Sequence, residues 1–280
     1  MNPSRPPSPA PSSPLRWLSG PFRALASLQL AVALIAVYIG VLVWATVVEK
    51  LYGTPTAHFA IYNAGWFFAL NALLAINVLC AVLVRFPWKR RQTGFLVTHS
   101  GILVLLAGCL TSRLGGIEAQ LPIFEGQAAH RANTDQSHIE LGFQLYLRKF
   151  QRKLDPGSGM ASHYSSTVDF LDRGDPPNRL HENVLITLNA PVDFADPETG
   201  RTYRLFQSSF NGPWKPGDPE FDQLAGSDRS RDQIYLSRLS VNYDPGRGLK
   251  YAGSLLLVAG ITMVYYMRAY FRRNGANEQQ

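Results

Sequence analysis

Four long apolar segments constrain this sequence more than any other feature. They cover about residues 27–47, 64–84, 94–111 and 249–267, and each holds 18 residues or more. A helix of about 20 apolar residues crosses the roughly 30 Å hydrocarbon core of a bilayer. The sequence therefore predicts a membrane protein with four transmembrane α-helices, three of them within a membrane region of residues 15–111.

The other parts of the chain are polar and differ in kind. Residues 1–14 are rich in proline and serine and have too few apolar side chains to build a core, so we expect a disordered tail. Residues 268–280 after the fourth segment are expected to form a short cytoplasmic tail. Residues 112–248, between the third and fourth segments, are long enough for a separate domain.

An alternating pattern predicts β structure in this polar region. Apolar residues from Ile139 to Leu147 alternate with mostly polar neighbours, which is typical of a half-buried strand. Residues 182–190, 202–210 and 233–243 give similar segments, separated by Gly, Pro and Asp clusters. We therefore expect an antiparallel β domain, a sandwich, inserted between helices 3 and 4.

The charge distribution predicts an orientation. The net charge is +7, but residues 111–250 contain 16 cations and 18 carboxylates. The excess of cations lies in the tails and in the loop around Arg85 and Lys89–Arg91. Basic residues flanking apolar segments stay on the cytoplasmic side. We expect both termini in the cytoplasm and an extracytoplasmic β domain at the inner membrane, and no nucleic-acid partner.

The two cysteines exclude some classes of protein. Cys80 and Cys109 lie in different apolar segments, and the sequence has no CxxC motif. The chain is therefore expected to be neither a thiol oxidoreductase nor a c-type haem carrier.

The third apolar segment contains the candidate site. Gly94, Gly101 and Gly108 are seven residues apart and share one helix face, which allows close contact with another helix. His99 lies roughly opposite this face, about 8 Å into the helix. Ionisable side chains within a membrane are commonly functional, although a hydrogen-bonded packing role also fits. His99 is the first candidate for a ligand-binding residue.

The remaining histidines are weaker candidates. His58 follows the first apolar segment in a polar loop near Tyr52 and Trp66, where it lines an exit path for a ligand or is simply solvated. The other four lie in the polar region and show no metal-ligand spacing: His130, His138, His163 and His181.

Several motifs along the chain together resemble the ResB (CcsB) family of cytochrome c biogenesis proteins. The resemblance covers nearly everything from Arg16 to Arg273. It is carried by YGT at 52–54 with Ala57, IYN at 61–63 before WF at 66–67, Asn77, RFPWKRRQTGFLVTHSGILVLLAG at 85–108, G-I-E and E-G around Gly116 and Gly126, and YDPG at 243–246.

The resemblance implies a function. The chain would be the ResB-type subunit of a system II cytochrome c synthase, working with a ResC/CcsA-type membrane partner. The pair moves haem across the membrane and joins it to CxxCH thiols of apocytochrome c. A histidine in this position is a membrane haem ligand in the family, and His99 matches it. The chain is shorter than many members and lacks the tryptophan-rich segment of the partner family, so we expect an accessory subunit, non-catalytic by itself.

Ligand geometry adds a condition to this expectation. A six-coordinate haem b needs an axial ligand on each face. The other five histidines lie in the outer loop or in the β domain, too far from the depth of His99. A second histidine ligand would therefore come from another chain, and haem b would be shared with the partner subunit.

Two alternatives stay open. The chain is a scaffold that presents its β domain to apocytochrome or partner without touching a cofactor, or it is a b-haem electron-transfer subunit acting on quinone. The second alternative would require two stacked pairs of ligands across the membrane, and the apolar segments contain one histidine.

Overall fold

The computed structural model describes residues 20–134, 137–157, 161–225 and 232–277, so the predicted tail of residues 1–14 lies outside the described residues. The chain divides into two compact units. The helical unit is Met1–Leu110 with Gly246–Gln280, and the β unit is Thr111–Pro245.

The helices follow in chain order. They are α1 (Pro21–Leu25), α2 (Leu28–Tyr52), α3 (Thr54–Ala57), a π-helical turn (His58–Tyr62), α4 (Gly65–Leu83), a 3₁₀ turn (Arg90–Gln92), α5 (Thr93–Gly115), α6 (Phe221–Ala225) and α7 (Arg247–Asn277).

Four of these helices are long and apolar enough to cross a membrane: α2, α4, α5 and α7. The prediction of four apolar helices is thus confirmed. Helix α7 continues to Asn277, ten residues past the predicted end at 267. The predicted tail of residues 268–280 is therefore helical over its described part, because no proline follows Met267 to end the helix.

Two asparagines within the apolar helices bond to neighbouring elements, as intramembrane amides must. Asn77 Nδ2 donates to the carbonyl of Leu25 at 2.6 Å, at the end of α1. Tyr38 Oη on α2 donates to Asn71 Oδ1 on α4 at 2.9 Å. These bonds tie α4 to the preceding part of the chain.

Helix α5 packs closely against α7 through its glycines. Gly94, Gly101 and Gly108 are all buried. A Cβ atom on each would lie within 2.8 Å of a backbone nitrogen of α7, those of Val264, Leu257 and Lys250 in turn. The predicted smooth face on α5 is therefore a helix contact in which any larger side chain would collide with backbone.

Helix α7 contributes a matching pair of glycines that the sequence interpretation missed. Gly253 and Gly260 are seven residues apart and buried. A Cβ atom on Gly253 would meet the backbone of Leu105, and one on Gly260 would meet Thr98. The two helices thus run antiparallel with glycine on both sides of the contact.

The β unit contains eight strands. They are β1 (Ile117–Phe124), β2 (Ala128–Asn133), β3 (His138–Leu154), β4 (Ala161–Leu171), β5 (Arg179–Thr187), β6 (Val192–Ala195), β7 (Thr202–Trp214) and β8 (Ile234–Tyr243).

All neighbouring strands are antiparallel, in the order β5-β4-β3-β2-β1-β8-β7-β6. The antiparallel β structure is confirmed, but the strands form one continuous sheet instead of the two separate sheets of a sandwich. Strand β1 pairs along its whole length with β8, from Ile117 opposite Tyr243 to Phe124 opposite Leu236. This pairing joins the two halves, and the sheet curves until β7 contacts β4 and β5.

The sheet encloses an apolar core and a buried polar network. In the core, the rings of Phe170 and Phe194 stack with centroids 4.2 Å apart. In the network, the fully buried Gln207 accepts from Ser166 Oγ at 2.6 Å and donates to Ser237 Oγ at 2.9 Å. The polar atoms are hydrogen-bonded, so they can stay in the interior at little cost.

One buried carboxylate holds the β1–β2 turn to the flanking strands. Glu125 is 8% exposed and accepts from the backbone N–H of Phe150 at 2.7 Å and of Tyr235 at 3.0 Å. Strands β3 and β8 both extend past this turn, and Glu125 fixes them there.

Candidate functional site

His99 lies six residues after the start of α5 and is half-buried. Its Nδ1 is 2.9 Å from the backbone carbonyl oxygen of Phe95, one helical turn earlier. A carbonyl can only accept a hydrogen bond, so Nδ1 carries the proton in this arrangement. Nε2 then presents a lone pair, and no described residue makes a hydrogen bond to it.

Phe95 also holds the imidazole through its ring. The ring centroids of Phe95 and His99 are 3.8 Å apart with an angle of 32° between the planes. The guanidinium carbon of Arg85 lies 3.9 Å from the centroid of the Phe95 ring. Arg85 is fixed in turn, because its Nη1 donates to the carbonyl of Ala81 at 2.9 Å. Arg85, Phe95 and His99 thus form a connected group between the end of α4 and the start of α5.

Sequence interpretation missed Phe95 and treated Arg85 first as an orientation signal. The spacing of four between Phe95 and His99 places the two rings on one helix face, and that spacing was available in the sequence. The contact of Arg85 depends on the turn between α4 and α5, which no local pattern encodes.

The His99 face points away from the α7 contact. His99 is two residues from Gly101, which corresponds to about 200° around the helix axis. Since the glycine face packs on α7, the imidazole is directed elsewhere. This agrees with the predicted position of His99 roughly opposite the glycine face.

The donor set fits one axial ligand of a haem iron. A metal-binding histidine usually donates its other ring N–H to a carbonyl or carboxylate, as His99 does to Phe95. Within the described ranges, no group of three or more His, Cys, Asp or Glu side chains could hold a metal ion. The described contacts of the His99 ring are with Phe95 and include no second histidine, so an opposing ligand would have to come from elsewhere.

His58 begins the π-helical turn at the end of α3 and is half-buried, so it is not a fully solvated loop residue. Its ring contacts the edge of Tyr62 at a centroid distance of 5.4 Å. Tyr62 leads into an aromatic cluster from three parts of the helical unit: Tyr38, Trp44, Tyr62, Trp66 and Phe67. The described contacts of His58 and His99 share no residue, so the structure places the two histidines in separate groups.

The other four histidines lie on strands of the β unit. His138, His163 and His181 are exposed, and His130 is half-buried. His181 packs edge-on against Phe194 at 5.7 Å, which is a packing contact.

A buried carboxylate in the β unit is paired with an arginine. Asp169 on β4 is 1% exposed and accepts from Arg148 Nε at 2.6 Å and from the backbone of Asn183 at 2.9 Å. Burial raises the pKa of Asp169, but these hydrogen bonds and the nearby cations more than offset it, so the pKa lies below its usual value. This pair is structural and holds β3, β4 and β5 together.

Comparison with known proteins shows what part of this chain is similar to. Residues 88–215 match the model of the ResB-like family. Protein NrfI of Wolinella succinogenes is 33% identical over 97 residues, which are 35% of this chain and 10% of that protein. The chain thus matches about a tenth of the length of this curated relative. Among solved structures, Cytochrome c Heme Lyase CcmF aligns with 90% of this chain and 41% of its own, at 14% identity and a TM-score of 0.33, which is too low to support an argument. The resemblance found in the sequence is thus confirmed over residues 88–215, which are similar to the ResB-like family.

Proposed function

We propose that this chain is a haem-handling, ResB-type subunit of a system II cytochrome c synthase. The observation that carries the proposal is the His99 imidazole, held at Nδ1 by the Phe95 carbonyl with Nε2 left for iron. The match of residues 88–215 to the ResB-like family supports a role in cytochrome c biogenesis. The substrates are haem and the CxxCH thiols of an apocytochrome c, and the partner is a ResC/CcsA-type membrane protein.

In this proposal the residues of this chain bind and orient the haem. They do not catalyse its covalent attachment to the apocytochrome. The glycine contact seats α5 on α7 and leaves the His99 face for the partner subunit. Phe95 fixes the tautomer and the plane of the imidazole. Haem b would be shared, with its opposing axial ligand supplied by the partner. The chain itself is then an accessory subunit of the synthase.

His58 is a second, weaker haem contact in this proposal. Its ring lies at one end of the aromatic cluster that Tyr62 begins. Flat aromatic side chains offer apolar surface to a porphyrin. This group would line an exit path on the outer side of the membrane.

The decisive experiment is His99→Ala in the complex co-purified with its partner. We expect loss of the haem absorption band and of cytochrome c maturation, while both subunits stay assembled. Added imidazole should restore part of the spectrum by occupying the vacated iron position. The matched control is His138→Ala, an exposed histidine on β3, which should leave the spectrum unchanged.

A scaffold without cofactor contact is the second candidate. It is favoured by the β unit, which has a complete apolar core of its own and is able to present a surface independently. If the His99→Ala complex keeps its full haem content and an unaltered spectrum, His99 is not a haem ligand. That result would favour the scaffold function.

A further inference from the structure

Arg85 is held against the ring that positions His99. Its Nη1 donates to the carbonyl of Ala81 at 2.9 Å, near the end of α4. Its guanidinium carbon lies 3.9 Å from the centroid of the Phe95 ring, and the centroid of the His99 ring lies 3.8 Å from that same centroid. Arg85 and His99 therefore contact one aromatic side chain. A guanidinium that stacks on such a ring keeps its N–H groups for acceptors at its edge.

The guanidinium of Arg85 has donors and charge to spare. Its described hydrogen bond uses Nη1, whereas a guanidinium has five N–H donors. Arg85 is exposed, and the salt bridges among the described residues do not include it. The sequence from Leu51 to Ile117 contains no Asp or Glu, so the helices around Arg85 offer it no carboxylate nearby in the chain. An anion that pairs with Arg85 is therefore best supplied by a ligand.

The depth of His99 says where the carboxylates of a bound haem would lie. His99 comes six residues after Thr93, about 9 Å along the helix axis, and sixteen residues before Gly115, about 24 Å. If α5 crosses the membrane, the nearer aqueous surface is the one at the turn between α4 and α5. Carboxylates are costly in hydrocarbon, so a haem held by His99 would turn its two propionates toward that turn. Arg85 stands at this end of α5.

We propose that Arg85 binds a propionate of the haem held by His99, so that the carboxylate edge of the porphyrin faces the turn between α4 and α5. This inference rests on the proposed function, because it requires haem at His99. Guanidinium and carboxylate form short, charge-assisted hydrogen bonds, often two in parallel. An axial ligand fixes the position of the iron but leaves the porphyrin free to rotate about the iron–nitrogen bond. Arg85 would restrict that rotation.

The test compares haem with haem dimethyl ester, in which both propionates are uncharged and the iron is kept. The complex of this chain with its partner is produced without haem, placed in nanodiscs of zwitterionic lipid, and titrated with each probe while absorption is followed. The unaltered complex should bind haem about tenfold more tightly than the ester. In Arg85→Gln this preference should disappear, because affinity for haem falls while affinity for the ester changes little.

Three further variants separate Arg85 from its neighbours. Arg85→Lys keeps the charge but not the planar guanidinium, so it should retain part of the preference for haem. Lys89→Gln/Arg90→Gln removes two exposed cations at the 3₁₀ turn, and Lys50→Gln removes one at the end of α2. Both controls should keep the full preference. A preference that is lost in the Lys89/Arg90 variant and kept in Arg85→Gln would mean diffuse attraction by the loop, contrary to the proposal.

His99→Ala distinguishes failure of this inference from failure of the proposed function. If His99→Ala binds neither probe but Arg85→Gln keeps the full preference for haem, His99 is a ligand and the role given to Arg85 is wrong. If the unaltered complex binds neither probe, or His99→Ala binds both as tightly as the unaltered complex does, the proposed function and this inference are both overturned. Circular dichroism of each variant checks that the helices are intact.

Discussion

At the residue scale, the chemistry of His99 depends on Phe95. The carbonyl of Phe95 fixes the protonated nitrogen, and its ring fixes the plane of the imidazole. When a residue that holds a metal-binding histidine in place is removed, the metal affinity typically falls by about 10–100-fold. The carbonyl survives any substitution at position 95, so a side-chain variant isolates the contribution of the ring.

We therefore predict that Phe95→Ala weakens haem binding about tenfold without abolishing it. The imidazole would keep its hydrogen bond but lose the ring that restricts its orientation. Haem titration of the complex, followed by absorption, measures the affinity. Leu96→Ala on the adjacent position serves as the control. An unchanged affinity in Phe95→Ala would mean that the ring contact has no part in positioning His99.

Asp169 gives a prediction about pH. Because its pKa is lowered in the folded chain, its ionised form contributes stability above the usual carboxyl range, about pH 4. That contribution is lost as the pH falls through the lower folded value. The unfolding temperature of the sheet, followed by circular dichroism, should decrease from about pH 5 downward.

The Asp169→Asn variant should be less stable at neutral pH and should show a flatter dependence on pH. The loss arises because Arg148 loses its buried charged partner and keeps only the more exposed Glu182, at 3.6 Å. Asp193→Asn is the matched control, because its carboxylate pairs with Arg204 at 2.7 Å on the exposed surface. Exposed pairs contribute little. Equal effects of the two substitutions would contradict the role assigned to burial.

At the element scale, the contact between α5 and α7 is set by glycine on both helices. We predict that Gly101→Leu lowers the free energy of unfolding of the helical unit by about 1–3 kcal/mol, because the larger side chain forces the two backbones apart. Gly40→Leu on α2 is the control, because a Cβ atom at Gly40 has nothing within 4 Å. The unfolding temperatures of the two variants in detergent are compared. Similar stability of both variants would exclude a close contact at Gly101.

The strands differ in how well the sequence predicted them. Strands β3, β7 and β8 were recognised because apolar residues alternate along them. In β4 the alternation fails, since Ser165 and Ser166 are buried and Ser166 bonds to Gln207. Strand β6 has four residues, and β1 contains Pro122, which argued against a strand. Polar interiors and short strands depend on tertiary partners that a local pattern does not contain.

The same limit applies to the candidate site. His99 was found because an imidazole is conspicuous among apolar neighbours, and the glycine face of α5 because of its spacing. The glycines of α7 have the same spacing, but the partner of a face is known only when two helices are packed together. Arg85 illustrates the point most clearly, since its contact with Phe95 crosses a turn between helices.

At the scale of the whole molecule, the distribution of cations predicts the orientation in the membrane. Arg85 and Lys89–Arg91 lie between α4 and α5, and Arg268, Arg272 and Arg273 lie near the end of α7. Basic flanks are retained in the cytoplasm. Both termini would then be cytoplasmic, and the β unit would lie on the outer side of the inner membrane.

Labelling with a membrane-impermeant thiol reagent tests this orientation in intact cells. Cys80 and Cys109 are first replaced, because both are free thiols. A cysteine at Lys215 of the β unit should react from outside, whereas one at Gln92 in the basic loop should react only after the cells are opened. Both positions lie outside the apolar helices, so access to the reagent depends on the side of the membrane. Reaction of the Gln92→Cys variant in intact cells would reverse the predicted orientation and place the β unit on the cytoplasmic side.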